Sequence, residues 1–405
     1  MHLRTGIDVL LSHPPAWRTE RLALVTNHAA TTHRFEPSRT ALLQAGFNII
    51  KLFSPEHGLD TTGADGHKMP GTIDPLTGLP VISLYGDRLA PASEDLGGID
   101  RVLFDIPDVG SRFYTYWWTL THVLEACAAA RIPLVLADRP NPLSGDLRLC
   151  EGPLLDETHC SSFIGRWEMP IRHSCTLGEL ATYFNITRNI GCSLEVTPCT
   201  GWTRSQFYAN VSPSFVPLSP AIPSFGSALL YPGLCFLEAT NISEGRGTAT
   251  PFRVAGAPWM LAGETARLFN QMIPSSPTTS LRASNQGTPV CARFINFTPT
   301  QGKYNGQSCQ GIMLHVTDTH SFQPVLTGWL LIRIIKQLHP THFAWAPYPT
   351  HVNPTGRRHL DLLAGIPDAE RLFDISLSRF LQEIQAHIAP GPWQDNVRPF
   401  LLYPQ

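Results

Sequence analysis

The first 145 residues alternate short apolar runs with helix-like stretches, and almost every run ends in a dense polar cluster. Leu22-Ala23-Leu24-Val25 leads into Thr26-Asn27-His28, and a helical stretch follows over about 37–45. Asn48 to Phe53 then ends in Ser54-Pro55-Glu56-His57-Gly58, and Val81 to Leu84 comes next. Arg101 to Phe104 gives way to Asp105-Ile106-Pro107-Asp108-Val109-Gly110-Ser111-Arg112. After a helix over about 116–130, Pro133 to Ala137 ends in Asp138-Arg139-Pro140-Asn141-Pro142. Such alternation predicts βαβ units and a parallel sheet covered on both faces. Each polar cluster follows its run, so the clusters gather at the carboxyl ends of the strands. That edge is where open α/β sheets bind ligands.

Beyond residue 150 the pattern is less regular. Thr176-Leu177-Gly178-Glu179 reads as a capping box that opens a helix through about residue 185. The stretch over 212–225, rich in proline and serine, is expected to be irregular, because proline fixes φ and lacks a backbone donor. Leu229 to Leu237 and Gln310 to Val316 are expected as strands; Gly263–Met272, Val325–Leu338 and Ile375–Ile388 are expected as helices. A chain of 405 residues exceeds the size at which one core stops growing. The sequence therefore predicts an α/β domain over 1–150 and an α+β domain over 151–405.

The formal net charge of −2 provides no basic footprint for nucleic acid or for an anionic membrane surface. The nine cysteines are odd in number, scattered, and lack a C-x-x-C pair, so buried reduced thiols in a reducing compartment are expected. The opening residues, Met1 to Asp8, lack an apolar core and a cleavage site of small residues. A soluble, cytoplasmic protein is the expectation.

The clusters carry the chemistry. Glu56 stands where a buried strand meets the binding edge; partial desolvation there would let it hold a proton, as a general acid must. His57 could donate to a sugar hydroxyl or orient that carboxylate. Asp105 and Asp108 share one strand end with Arg112, Tyr114 and Tyr116, which combines acids for hydroxyls with aromatic faces for a ring. Asp105 reads as an ion-pair partner, and Asp108 as a group the Val109-Gly110 turn projects into a cleft. Prolines stiffen the segment that presents Asp138, Arg139 and Asn141. The segment Glu238 to Thr248 is denser still, with Asn241, Glu244 and Arg246, and Gly245 and Gly247 let a ligand approach the backbone. Signatures of other chemistries are missing: G-x-G-x-x-G, a Walker A sequence, H-E-x-x-H and G-x-S-x-G are all absent.

Taken in order, these segments resemble the NamZ-type exo-β-N-acetylmuramidases, glycoside hydrolase family 171, formerly a domain of unknown function. The matching stretches are Leu52 to Gly58, Thr77 to Gly86, Phe104 to Tyr116, Asp138 to Pro142, Arg172-His173, Asn241 to Thr248, Gly256 to Trp259 and Phe400 to Tyr403. Pro107 stands where the family pattern has glutamine, Ala221 where it has asparagine, and Ala239 where it has glycine. The resemblance implies a Rossmann-like N-terminal domain joined to a smaller α+β C-terminal domain, with the active-site cleft between them. It implies cofactor-free release of N-acetylmuramic acid from the non-reducing end of β-1,4-linked peptidoglycan fragments. Cell-wall recycling on imported fragments follows from the expected location.

By this match Glu56 is the leading general acid, with Asp108 and Glu244 as candidates for the second catalytic group. Asn27, His57, Arg112, Tyr114, Tyr116, Asp138, Arg139, Asn141, His173, Asn241 and Arg246 are candidate substrate-binding residues. The lactyl carboxylate of muramic acid calls for a cation, for which Arg246 is the first candidate, before Arg112 and Arg139. The alternative reading is a non-catalytic sugar- or muropeptide-binding protein using the same edge. A metal centre assembled from the dispersed histidines is a further, weaker alternative.

Overall fold

The computed structural model describes residues 3–69, 71–212, 214–274 and 288–405. A seven-stranded sheet forms from β1 (Leu22–Thr26), β2 (Ile49–Ser54), β3 (Thr72–Ile73), β4 (Pro80–Ser83), β5 (Arg101–Asp105), β6 (Leu134–Ala137) and β7 (Leu194–Thr197). Its order is β3-β4-β2-β1-β5-β6-β7, parallel throughout except for the antiparallel β3 edge. The five strands expected over the first 145 residues are all present. β3 and β7 are additional, and β7 carries the sheet past residue 150, the boundary expected for the first domain.

The alternation of strand side chains explains why these runs are continuously apolar. Ala23, Val25, Phe53, Val102 and Phe104 enter the main core on one face. Leu22, Leu24, Leu52, Leu103 and Val135 enter a second cluster on the other, under the helix Gly6–Ser12. A parallel strand buried on both faces has no polar face to display.

The second half supplies a three-stranded antiparallel sheet, β8 (Val254–Ala257), β10 (Cys309–Val316) and β9 (Val290–Phe297), in the order β8-β10-β9. The helices Ala262–Met272, Pro324–Leu338 and Leu377–Ile388 fall where they are expected. The run Leu229 to Leu237 does not. It is the second part of a helix, Phe225–Leu234, followed by a 3₁₀ turn, Cys235–Ala239, rather than a strand. A helix buried on all sides reads as a continuous apolar run, which periodicity alone cannot separate from a core strand. Glycines allow that burial: a Cβ on Gly233 would stand 1.9 Å from the Pro324 carbonyl oxygen, and one on Gly328 would stand 2.0 Å from that of Gly233. The two helices therefore cross backbone to backbone, and this crossing sets where the Cys235–Ala239 turn points.

The main core continues from the first sheet into the second half. Phe113, just past β5, meets Tyr231 and Phe236 edge-on at 5.3 and 5.9 Å. All nine cysteines are unpaired, and all but Cys291 are buried. Among the described residues, no helix is long and apolar enough to cross a membrane.

Candidate active site

Glu56 reaches its position through an unusual turn. β2 ends at Ser54, and His57 and Gly58 both adopt left-handed conformations, with φ of 69° and 75°. A non-glycine residue held there costs energy that the surroundings must supply. The His57 ring is anchored by Nδ1 against the Gly63 carbonyl at 2.8 Å, and its Nε2 lies 3.6 Å from Asp65.

Both oxygens of Glu56 are held. Oε1 accepts the backbone N–H of Gly66 at 2.8 Å, and Oε2 accepts the Thr115 hydroxyl at 2.6 Å. Thr115 is the first residue of the helix Thr115–Ala130, whose amino end carries partial positive charge. The Tyr85 hydroxyl, from the loop after β4, also hydrogen-bonds Glu56; burial first, and then that carboxylate, push its pKa up.

These groups line a cavity shared with the second half of the chain, which contributes Glu238, Arg246, Tyr348 and His359. Glu238 sits on the 3₁₀ turn fixed by the glycine crossing. Arg246 Nη2 donates to its Oε1 at 2.5 Å, and His359 Nε2 lies 3.1 Å from its Oε2. Burial alone would raise this carboxyl, but the Arg246 guanidinium and His359 override it and hold the pKa down to about 2. Arg246 also binds Asp65, places Nε 3.1 Å from Glu244, and lies over the Phe252 ring at 4.9 Å. Tyr348 stacks on His359 with ring centroids 4.7 Å apart. The cavity encloses about 70 Å³, room for a few waters but not for a sugar ring.

Of the residues singled out from sequence, Glu56, His57, Tyr114 and Arg246 line this cavity. Tyr116 stands behind it, edge-on to Tyr114 at 4.8 Å, with its hydroxyl donating to the Leu218 carbonyl at 3.0 Å. Glu244 lies behind Arg246 and also pairs with Lys303 at 3.2 Å. Asp108 and Arg139 face a different cavity. The Oδ1 of Asn27 accepts the Ala29 N–H at the end of β1.

The remaining candidates brace the fold. Arg112 is fully buried and donates to the carbonyls of Pro153, Met169 and Leu363, and burial lowers its pKa to about 9. Asp138 accepts the Tyr403 hydroxyl at 2.5 Å and the Gly178 N–H at 2.9 Å, and burial raises it to about 6. Arg139 pairs with Asp105, not Asp138, at 2.6 Å. Asn141 spans the Cys175 carbonyl and the Leu143 N–H. The His173 Nδ1 accepts the Cys175 N–H, and burial lowers its pKa to about 3. Asn241 pairs with the backbone of His342 and Ala344. Among the described residues, no group of three or more His, Cys, Asp or Glu side chains is arranged to hold a metal ion.

Sequence reading gives no role to Asp65, Tyr85, Tyr348 or His359: Asp65 lies in the loop after β2, Tyr85 lies within the Thr77–Gly86 stretch, and Tyr348 and His359 come from far along the chain, His359 at the start of a short helix. Glu238 had a signal, since it opens the dense segment that ends at Thr248.

Residues 22–226 match the family model of the N-terminal part of exo-beta-N-acetylmuramidase NamZ, and residues 229–403 match that of its C-terminal part. The chain is 37% identical over 343 residues to the peptidoglycan beta-N-acetylmuramidase NamZ of Bacillus subtilis strain 168, covering 84% of this chain and 79% of that one. Two solved DUF1343 family proteins from Bacteroides fragilis NCTC 9343, each 25% identical, share the fold. One has a TM-score of 0.81 with 99% of each chain covered, and the other 0.68 with 100% covered. Matching both domain models across nearly its whole length, the chain belongs to the exo-β-N-acetylmuramidase NamZ family.

Proposed function

We propose that this protein is an exo-β-N-acetylmuramidase that releases N-acetylmuramic acid from the non-reducing end of β-1,4-linked peptidoglycan fragments, with Glu56 as general acid. The observation that carries this reading is the setting of Glu56: buried, fixed in position through both oxygens, and facing Asp65 and, from the second half of the chain, Glu238. Glu56 gives its proton to the glycosidic oxygen as the bond to the anomeric carbon breaks, so the leaving sugar departs as a neutral alcohol. Positive charge developing on the sugar ring is met by Asp65 and Glu238, the latter kept ionised by Arg246 and His359. Water adds to the anomeric carbon and passes its proton to a carboxylate of the cavity, and return of that proton to Glu56 completes the cycle. Glu244 serves by holding Arg246.

Reduced, mostly buried cysteines support a cytoplasmic setting, and with it a role on fragments taken up during cell-wall recycling. The near-neutral charge argues against nucleic-acid or membrane partners.

Chromogenic glycosides of N-acetylmuramic acid and N-acetylglucosamine, assayed in parallel with and without chelator, test the reading. Chromophore release from the muramic glycoside, undiminished by chelator, is expected. Saturable binding without release would mean a binding protein instead.

A further inference from the structure

A second cavity, of about 230 Å³, opens beyond the carboxyl ends of β1, β5 and β6. β1 lies between β2 and β5, so the winding of the chain reverses there, and open α/β sheets bind ligands at such a reversal. The active-site cavity lies to the other side, beyond β2 and β4. The two share a wall and, among the described residues, no lining residue: Leu218 faces the second cavity, Ser219 faces the first, and the Tyr116 hydroxyl pins the Leu218 carbonyl between them.

The walls are aromatic. Phe35 is exposed, and Tyr208, on the short helix Tyr208–Val211, meets Phe215 of the following irregular stretch edge-on at 5.5 Å. Such faces suit the C–H faces of a sugar ring and an acetamido methyl. The polar end is built around Asp108, which is only 9% exposed. Its Oδ2 accepts the Gly110 N–H at 2.7 Å, and its Oδ1 is buried without a partner among the described residues. A buried oxygen left unmatched is costly unless a ligand or water meets it.

Charge here is already balanced. Arg139 forms two bonds to Asp105, at 2.6 and 3.0 Å, and a third to the Thr31 carbonyl. His33 leans on Asp8 at 2.8 Å. Burial pushes the Asp108 pKa up to about 7. A ligand carboxylate would find its nearest cation already neutralised and Asp108 beside it.

We propose that this cavity is a second carbohydrate site that takes an uncharged N-acetylated hexosamine, its ring against Tyr208 and Phe215 and a hydroxyl or amide N–H on the Asp108 carboxyl group. The inference goes beyond the hydrolytic reading, and its preference is opposite: the second site favours the ring that lacks the lactyl carboxylate.

The test is calorimetric titration of the full chain with N-acetylglucosamine and, separately, N-acetylmuramic acid, neither of which requires turnover. In the wild type, N-acetylglucosamine should bind saturably. Val216→Trp, which fills the cavity, should abolish that binding while leaving N-acetylmuramic acid binding and glycoside turnover within about twofold. Absence of saturable N-acetylglucosamine binding in the wild type would overturn the proposal. So would unchanged binding in Val216→Trp, or equal loss of both ligands. If Val216→Trp does not melt cooperatively, Phe215→Ala replaces it and should weaken N-acetylglucosamine about two- to tenfold; no weakening there counts against the site.

Discussion

The backbone N–H of Gly66 donates to Oε1 of Glu56 at 2.8 Å, which ties the loop after β2 to the carboxyl group that strand delivers. Gly66 is also pinned from the other half, because its carbonyl accepts the His351 N–H at 2.9 Å. Its φ is +70°, and a Cβ there would stand 2.7 Å from the Thr350 Cβ.

Gly66→Ala should therefore separate catalysis from folding. The left-handed backbone costs a non-glycine residue roughly 1–2 kcal/mol, and the contact with Thr350 pushes the loop off Glu56. The expected result is a modest fall in melting temperature with at least a tenfold loss of kcat on a chromogenic muramic glycoside. An unchanged kcat would mean that the Gly66 hydrogen bond is incidental to turnover.

Glu56→Gln should keep the fold and much of the substrate binding while losing about 10²- to 10⁴-fold in kcat. The amide of the variant cannot protonate the departing oxygen. The loss should shrink for glycosides whose leaving group needs little protonation. Equal loss for good and poor leaving groups would assign Glu56 to positioning rather than proton transfer.

How far the sequence anticipates this site depends on where each residue's signal lies. The strand-end position of Glu56 is legible because β2 is a largely apolar run, interrupted by Lys51, that breaks at Ser54-Pro55, and the parallel sheet puts every such break on one edge. Asp138 stands at the same kind of break, yet it turns inward to Tyr403 and Gly178, and strand position does not reveal which way a side chain turns. β7 escapes notice because Leu194-Glu195-Val196-Thr197 is a short, half-polar edge strand. The helix ending at Leu234 reads as a strand because its burial depends on Gly328, far along the chain. Tyr348 and His359 enter the cavity only through contacts between the two halves, which no local pattern encodes.

Asp108 should make stability depend on pH. Its ordinary pKa is 3.8, and burial pushes it up to about 7 in the folded protein. Between those values the folded state binds more protons than the unfolded chain, so this contribution is fully present below 3.8 and is lost as pH rises through 7. The loss between pH 5 and pH 8 is on the order of 3 kcal/mol. Asp108→Asn, neutral at every pH, should escape it. Urea unfolding at the two pH values should show the variant gaining on the wild type by about that amount. A constant gap would mean that Asp108 titrates near its ordinary value.

Arg246 is the first candidate among the arginines for reading the lactyl carboxylate, and its surroundings argue for another role. It is bound by Asp65 and by Glu238, with Glu244 3.1 Å from Nε. Three carboxylates already outweigh its single charge, so a fourth would be repelled as much as attracted. Removing it strands those acids in a buried site, and a broken buried pair typically costs about 3–5 kcal/mol. Arg246→Ala should therefore lower activity on muramic and glucosamine glycosides together, with a clear drop in stability. Arg246→Lys keeps the charge without the fork, so it should recover part of the stability and little of the activity. Arg112 is committed to three backbone carbonyls and Arg139 faces the second cavity, so neither is placed to take over the role. The measurement is the ratio of kcat/KM for the two glycosides, which should stay within about threefold of wild type in both Arg246 variants. A tenfold fall in that ratio, with the glucosamine activity held level, would show that Arg246 releases an acid on binding and reads the lactyl group directly.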